Sequence, residues 1–181
     1  MKLAMDVHYR RDGTAAAAGV LFPEWESDEV APYEPGSFYR RELPCLMQVL
    51  EDVAEDLEAI VIDGYVVLGK SKKPGLGMHL YESLKKKTPI IGVAKTEFEG
   101  TPEACRVYRG RSGKPLFVTS AGMALAEARS CVENMHGENR IPTLLKRVDQ
   151  WCRGIPPSLL RVHGRTGAPS GGRKPRPASV V

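Results

Sequence analysis

Hydrophobic residues are most concentrated in Ala59-Ile60-Val61-Ile62, which runs into Asp63-Gly64. Consecutive apolar, β-branched residues between polar flanks predict a short strand buried on both faces. Pro89 to Val93 repeats the pattern and ends at Ala94-Lys95. Near the start, Lys2 to Tyr9 alternates as a strand with Asp6 in its middle. Arg11-Asp12-Gly13 is a hairpin signal, and Ala15 to Phe22 returns as a second strand. Pro23 to Asp28 reads as an acidic turn, followed by a weak strand at Glu29 to Ala31 and the rigid turn Pro32-Tyr33-Glu34-Pro35-Gly36. Leu43, Leu46, Met47, Leu50, Val53 and Leu57 recur at three- and four-residue intervals, predicting a helix from Arg41 to Leu57 whose apolar stripe packs on the core. A glycine-rich loop after Gly64 leads to a helix over Gly77 to Lys86. Arg106 to Arg109 and Leu116 to Ser120 predict a hairpin around Arg111-Ser112-Gly113, and helices from Ala124 to Met135 and Thr143 to Arg153 close the domain. No internal repeat is present.

Antiparallel strands followed by helix, strand, helix and strand describe an α/β domain: a mixed sheet with helices on its faces. In that layout the middle of the first strand and the end of the strand through Asp63 lie side by side. Ligands of open α/β sheets gather at the carboxyl ends of strands, which makes Asp63 a candidate for chemistry. An isolated Asp6 inside a strand points the same way, because a buried carboxylate is costly unless a cation or proton compensates it. Glu42 enters from the intervening helix. Each has a purely structural explanation too: a solvated turn for Asp63, and a favourable helix dipole for Glu42 in the first turn.

With 181 residues and 42% hydrophobic content, one domain with a real core is expected. No apolar run approaches a membrane span, and Met1-Lys2-Leu3-Ala4 leads straight into a charged strand, so a soluble, cytoplasmic protein without a membrane partner is expected. Cys45, Cys105, Cys131 and Cys152 are scattered, with no Cys-x-x-Cys pair for zinc or redox work, and read as buried thiols. Six of the 26 basic residues stand from Arg153 onward with none of the 22 acidic ones, leaving 20 basic against 22 acidic groups before them. That division predicts a folded domain over 1–153 and a basic Pro/Gly-rich disordered tail over 154–181, which either binds nucleic acid by charge or merely solubilises the chain.

Several of these segments occur in the order of a known family. Asp6-Val7-His8-Tyr9, then Pro32-Tyr33-Glu34-Pro35-Gly36 with Arg41-Glu42, then Asp63-Gly64, then Pro89-Ile90-Ile91-Gly92-Val93-Ala94-Lys95 resemble the endonuclease V family. Leu116 to Gly122 and the stretch from Ile141-Pro142 to Val148-Asp149 are also similar to it. The resemblance implies a ribonuclease H-like fold and a Mg²⁺-dependent endonuclease, with Mn²⁺ as the other metal, that cuts DNA or RNA near a deaminated base such as inosine, as in repair. It implies metal ligation by Asp6, Glu42 and Asp63, support from Asp149, and an active-site lysine at Lys95. Tyr33 matches the strand-separating wedge, flanked by Pro32 and Pro35, and Gly64 the backbone approached by nucleic acid. A monomer is expected. Carboxylates without His or Cys suit Mg²⁺, which takes oxygen ligands and keeps several waters.

The chain departs from the family after Asp63-Gly64, where Tyr65-Val66-Val67-Leu68-Gly69-Lys70-Ser71 replaces a second glycine and a His-Pro-Arg run, and at Glu34, which replaces an apolar wedge residue. Those changes bear on lesion choice more than on nuclease chemistry. Gly64 to Ser71 also matches the phosphate-loop pattern of nucleotide hydrolases. Against it stand the bulky Tyr65-Val66-Val67-Leu68 and the early Pro74-Gly75, where a helix should open. A catalytically inactive nucleic-acid-binding domain of the same fold is the remaining alternative.

Overall fold

The β-branched runs form the middle of a seven-stranded mixed sheet in the computed structural model, which describes the backbone of residues 2–9, 15–19 and 25–27 and, in full, residues 39–51, 53 and 56–153. Its strands are β1 (Lys2–Tyr9), β2 (Ala15–Gly19), β3 (Trp25–Ser27), β4 (Ala59–Asp63), β7 (Ile90–Ala94), β8 (Arg106–Val107) and β9 (Leu116–Ala121). Between β4 and β7, β5 (Val67–Leu68) and β6 (Lys73–Pro74) make a separate hairpin. The strand order is β3-β2-β1-β4-β7-β9-β8. The central strands β1, β4 and β7 are parallel, and every outer pairing is antiparallel.

Among the described residues four α-helices cover the sheet: α1 (Tyr39–Glu51), α2 (Leu76–Ser83), α3 (Leu125–Glu133) and α4 (Thr143–Cys152). Strand alternation divides the core between them. Ile60 and Ile62 of β4 pack with Cys45, Leu46 and Val49 of α1 and Leu80 of α2. Ala59 and Val61 face the other way, with Ile91 and Val93 of β7, Ala128 and Val132 of α3, and Leu145, Val148 and Cys152 of α4. By the same alternation Asp63 and Lys95, which follow Val61 and Val93, emerge at the strand ends on the α4 side. Fully burying one such aliphatic side chain contributes about 1.5–3 kcal/mol, so both layers are needed to hold the strand ends in place.

Several expected boundaries move. The edge strand β3 lies at Trp25–Ser27, within the expected acidic turn, and Glu29 to Ala31 lies outside the described residues. Helix α1 ends at Glu51, and Val53 and Leu57 of its apolar stripe pack on the core from beyond its end. The segment expected to be a loop after Gly64 forms the β5–β6 hairpin, so Gly64 to Ser71 does not lead into a helix; α2 begins at Leu76, after the hairpin closes. The turn Pro32-Tyr33-Glu34-Pro35-Gly36 and the tail 154–181 lie outside the described residues. Among the described residues no helix is long and apolar enough to cross a membrane. Cys45, Cys105 and Cys152 are buried and Cys131 is half-buried.

Candidate active site

Strand register brings the predicted acids together. Met5 of β1 is level with Ile62 of β4, so one step further along these parallel strands Asp6 is level with Asp63. Glu42, in the first turn of α1, and Asp63 line one open pocket of about 230 Å³ together with Tyr39, Gly64, Tyr65 and Leu68. On the neighbouring strand, the Lys95 ammonium is ion-paired with Asp63 Oδ2 and lies 3.8 Å from Asp149 Oδ1. Asp149 is in turn 3.0 Å from Nη2 of Arg153, which caps the C-terminal end of α4. It adjoins the buried stripe Leu145, Val148 and Cys152, which turns this face of the helix toward β7. Of the predicted site residues, then, Asp6, Glu42, Asp63, Gly64, Lys95 and Asp149 converge on the strand ends, while Tyr33, Pro32 and Pro35 lie outside the described residues.

Tight backbone packing fixes the turn that follows Asp63. Gly64 has φ +148°, a conformation that a side chain disfavours, and its N–H donates to Val93 O at 3.1 Å, extending the β4–β7 ladder past Asp63. Gly92 lies beneath this turn, where a Cβ would come within 2.6 Å of Gly64 O and 2.8 Å of Val66 N. The Val66 N–H donates to Thr119 Oγ1 at 2.8 Å, and Val66 is fully buried with its side chain against Gly77. Val66 is thus a core residue, and its bulk does not enter the pocket at Asp63. Tyr65 braces the turn from outside: its hydroxyl donates to Thr96 O at 2.8 Å and accepts from Phe98 N–H at 3.0 Å. Burial pushes the Tyr65 phenol up from its ordinary pKa, so it stays a neutral donor.

Two arginines support the lysine, and neither stands out in the sequence. Arg140 donates to Pro115 O through Nε at 3.2 Å and through Nη2 at 2.7 Å, and Nη2 also donates to Lys95 O, which ties the end of β7 to the start of β9. Arg109 is 7% exposed and donates to the carbonyls of Glu133, Met135, Gly137, Asn139 and Arg140. That sets the end of α3 and the loop carrying Arg140. Burial lowers the Arg109 pKa, yet guanidinium remains cationic and suits an array of carbonyls. In sequence Arg109 stands between Arg106 and Arg111, and no local signal marks it as buried.

An all-oxygen carboxylate set beside an ammonium suits a hard divalent cation and a phosphate. Among the described residues no three His, Cys, Asp or Glu side chains form a metal-holding group by themselves; the side chain of Asp6 is not among those described.

A family model described as Endonuclease V matches residues 24–131. Endonuclease V of Streptomyces coelicolor is 32% identical over 82% of this chain and 76% of its own length. Endonuclease V of Thermus thermophilus is 30% identical over 74% of this chain, and the match spans 66% of its own length. Among solved structures, Endonuclease V of Streptomyces avermitilis superposes with TM-score 0.65 at 27% identity, covering 84% of this chain and 79% of that one. Endonuclease V of Ciona intestinalis, solved with a 24mer DNA containing an inosine followed by a ribo-adenosine, has the same fold with TM-score 0.68 at 20% identity over 84% of each chain.

Proposed function

The chain belongs to the endonuclease V family, and from that premise we propose that it is a divalent-metal-dependent endonuclease that hydrolyses a phosphodiester near a deaminated base, inosine above all, in DNA or RNA. The observation that carries this reading is the convergence of acids and a lysine at the ends of parallel strands: Asp63 at the end of β4, Asp6 level with it, Glu42 lining the same pocket, and Lys95 between Asp63 and Asp149. Asp6, Glu42 and Asp63 are the residues that would hold Mg²⁺, or Mn²⁺ in its place, and the bound ion supplies Lewis-acid activation of water and charge neutralisation at the phosphate.

The chain's own groups do the rest. Lys95 presents a cation where negative charge grows on the phosphoryl oxygens as water's oxygen adds to phosphorus and the sugar oxygen leaves. Asp149 holds that ammonium from the α4 side, and Arg140 fixes its backbone. Gly64, Tyr65, Leu68 and Leu76 line a largely apolar recess beside the acids, suited to the face of a base taken out of its stack. Because Val66 is buried beneath it, the loss of the family's second glycine leaves this recess open, which supports retained inosine recognition. The inosine-containing DNA bound by the Ciona relative supports the same lesion class.

The test is incubation with Mg²⁺ and matched labelled oligonucleotides, with and without one inosine, as DNA and RNA, single- and double-stranded. Cleavage beside the inosine that stops in EDTA is expected, and the DNA and RNA arms identify the substrate. Tight binding without cleavage of any oligonucleotide would make the chain an inactive binding domain.

A further inference from the structure

Three concavities follow one another across the strand ends. The pocket at Glu42 and Asp63 shares Asp63 with a small, largely apolar cleft of about 10 Å³ lined by Val93, Lys95, Leu116, Ile141 and Val148. That cleft shares Ile141 with a groove of about 850 Å³ that has no wall in common with the first pocket. Asp149, 3.8 Å from Lys95, forms the inner end of the groove. Its walls are the Arg111–Ser112 turn between β8 and β9, the loop through Asn139, and Lys146 on α4.

We propose that this groove is the lane along which the cut strand continues past the scissile phosphate, with Arg111 and Lys146 as its phosphate contacts; the inference rests on the nuclease reading for the identity of the strand. Both side chains are exposed and line the groove, and among the described residues neither makes an ion pair. Ser112 and Asn139 supply neutral hydrogen-bonding groups between them. Arg140 contributes wall rather than phosphate contact, because its Nε and Nη2 donate to the carbonyls of Pro115 and Lys95. Among the acids, Asp149 faces Lys95 and Arg153, whereas Glu138 stands on the groove wall, where it opposes a polyanion. Asp149, on the groove wall and 3.8 Å from Lys95, sets the groove against the proposed active site, which makes the occupant the strand being cut, and a volume within the range of ligand sites, about 300–1,000 Å³, suits a few nucleotides of one strand.

The experiment uses the full chain in EDTA, where the metal-dependent cut is off, and reads the anisotropy of a labelled single-stranded inosine oligonucleotide across salt concentrations. The Arg111→Gln/Lys146→Gln pair is expected to lower the logarithmic salt slope by about 1.4, two phosphates at ~0.7 each on a single strand. A charge-matched pair, Lys85→Gln/Lys87→Gln, lies just before β7 at the opposite ends of the strands and is expected to leave the slope unchanged. Glu138→Gln is expected to tighten binding. With oligonucleotides extended on only one side of the inosine, the groove pair is expected to weaken one extension and spare the other. An unchanged slope in the groove pair, an equal loss in the control pair, or equal weakening of both extensions would overturn the lane. Because binding is read without cleavage, a chain that cuts inosine strands but keeps its slope in the groove pair overturns the lane alone. A chain that cuts nothing while that pair loses slope overturns the nuclease reading alone.

Discussion

Lys95 stands between two carboxylates whose mutual repulsion it relieves, which predicts a role in stability beside the one proposed for it in the reaction. Its side chain is 37% exposed and that of Asp63 27%, so solvent screens the pair and its net worth is about 1 kcal/mol at most. Lys95→Met is therefore expected to lower the melting temperature slightly at low salt, with Mg²⁺ recovering more stability in the variant than in the wild type, while cleavage falls by about 10²-fold or more. Thermal denaturation with and without Mg²⁺, beside a cleavage assay, checks both; an unchanged cleavage rate would remove Lys95 from the reaction. Tyr65 acts through its hydroxyl. Tyr65→Phe leaves Thr96 O and Phe98 N–H to water and is expected to cost about 1 kcal/mol in urea denaturation. The phenol pKa is raised in the folded chain, so the unfolded chain loses its proton first; the Tyr65 contribution is complete below about pH 10 and declines as pH rises beyond it. The variant is expected to lack that component of the alkaline decline.

At the scale of elements, the loop from Asn134 to Arg140 is shaped by one buried arginine. Arg109→Gln removes donors to most of five carbonyls and is expected to cost about 3 kcal/mol, read as a lower urea midpoint with an unchanged slope. A loss within a few tenths of a kcal/mol would show that water replaces it. The contrast between Arg109 and Asp63 shows what was legible in the sequence. Strands β4 and β7 could be read from consecutive β-branched residues, and Asp63 at the end of β4 was legible as a strand-end carboxylate, whereas Lys95, just past the end of β7, stood out only through the family resemblance. Strand β1 was legible from its alternation. β3 was not, because Trp25-Glu26-Ser27 is a three-residue edge strand among acids with no apolar repeat to reveal it. The β5–β6 hairpin was also hidden: its strands are two residues long, and Lys72 turns the chain with φ 52°, a task the sequence would ordinarily assign to glycine or asparagine. The periodicity through Val53 and Leu57 outlasts α1 because core contact, not helix, is what the stripe records. Arg109 and Arg140 escaped notice because their partners are main-chain carbonyls, which no side-chain pattern announces.

Across the whole molecule, charge and chemistry separate. The region that holds the acids is slightly acidic, and the basic surplus lies from Arg153 onward. If that segment holds phosphates, truncation before Gly154 removes five basic groups and is expected to flatten the salt dependence of duplex binding by up to about 4 to 5 logarithmic units. An unchanged slope would make the tail a bystander. We propose that Asp63, at the end of the middle parallel strand, is an essential member of a metal-dependent nuclease site. Asp63→Asn removes a charge but almost no volume, and the lost ion pair is offset by less repulsion among the neighbouring acids. The most direct measurement is single-turnover cleavage of an inosine oligonucleotide in Mg²⁺ by wild type and Asp63→Asn, with both melting curves recorded. Cleavage by the wild type is expected, with none detectable by a variant that melts at nearly the same temperature; a folded variant that cuts at the wild-type rate would contradict this role for Asp63.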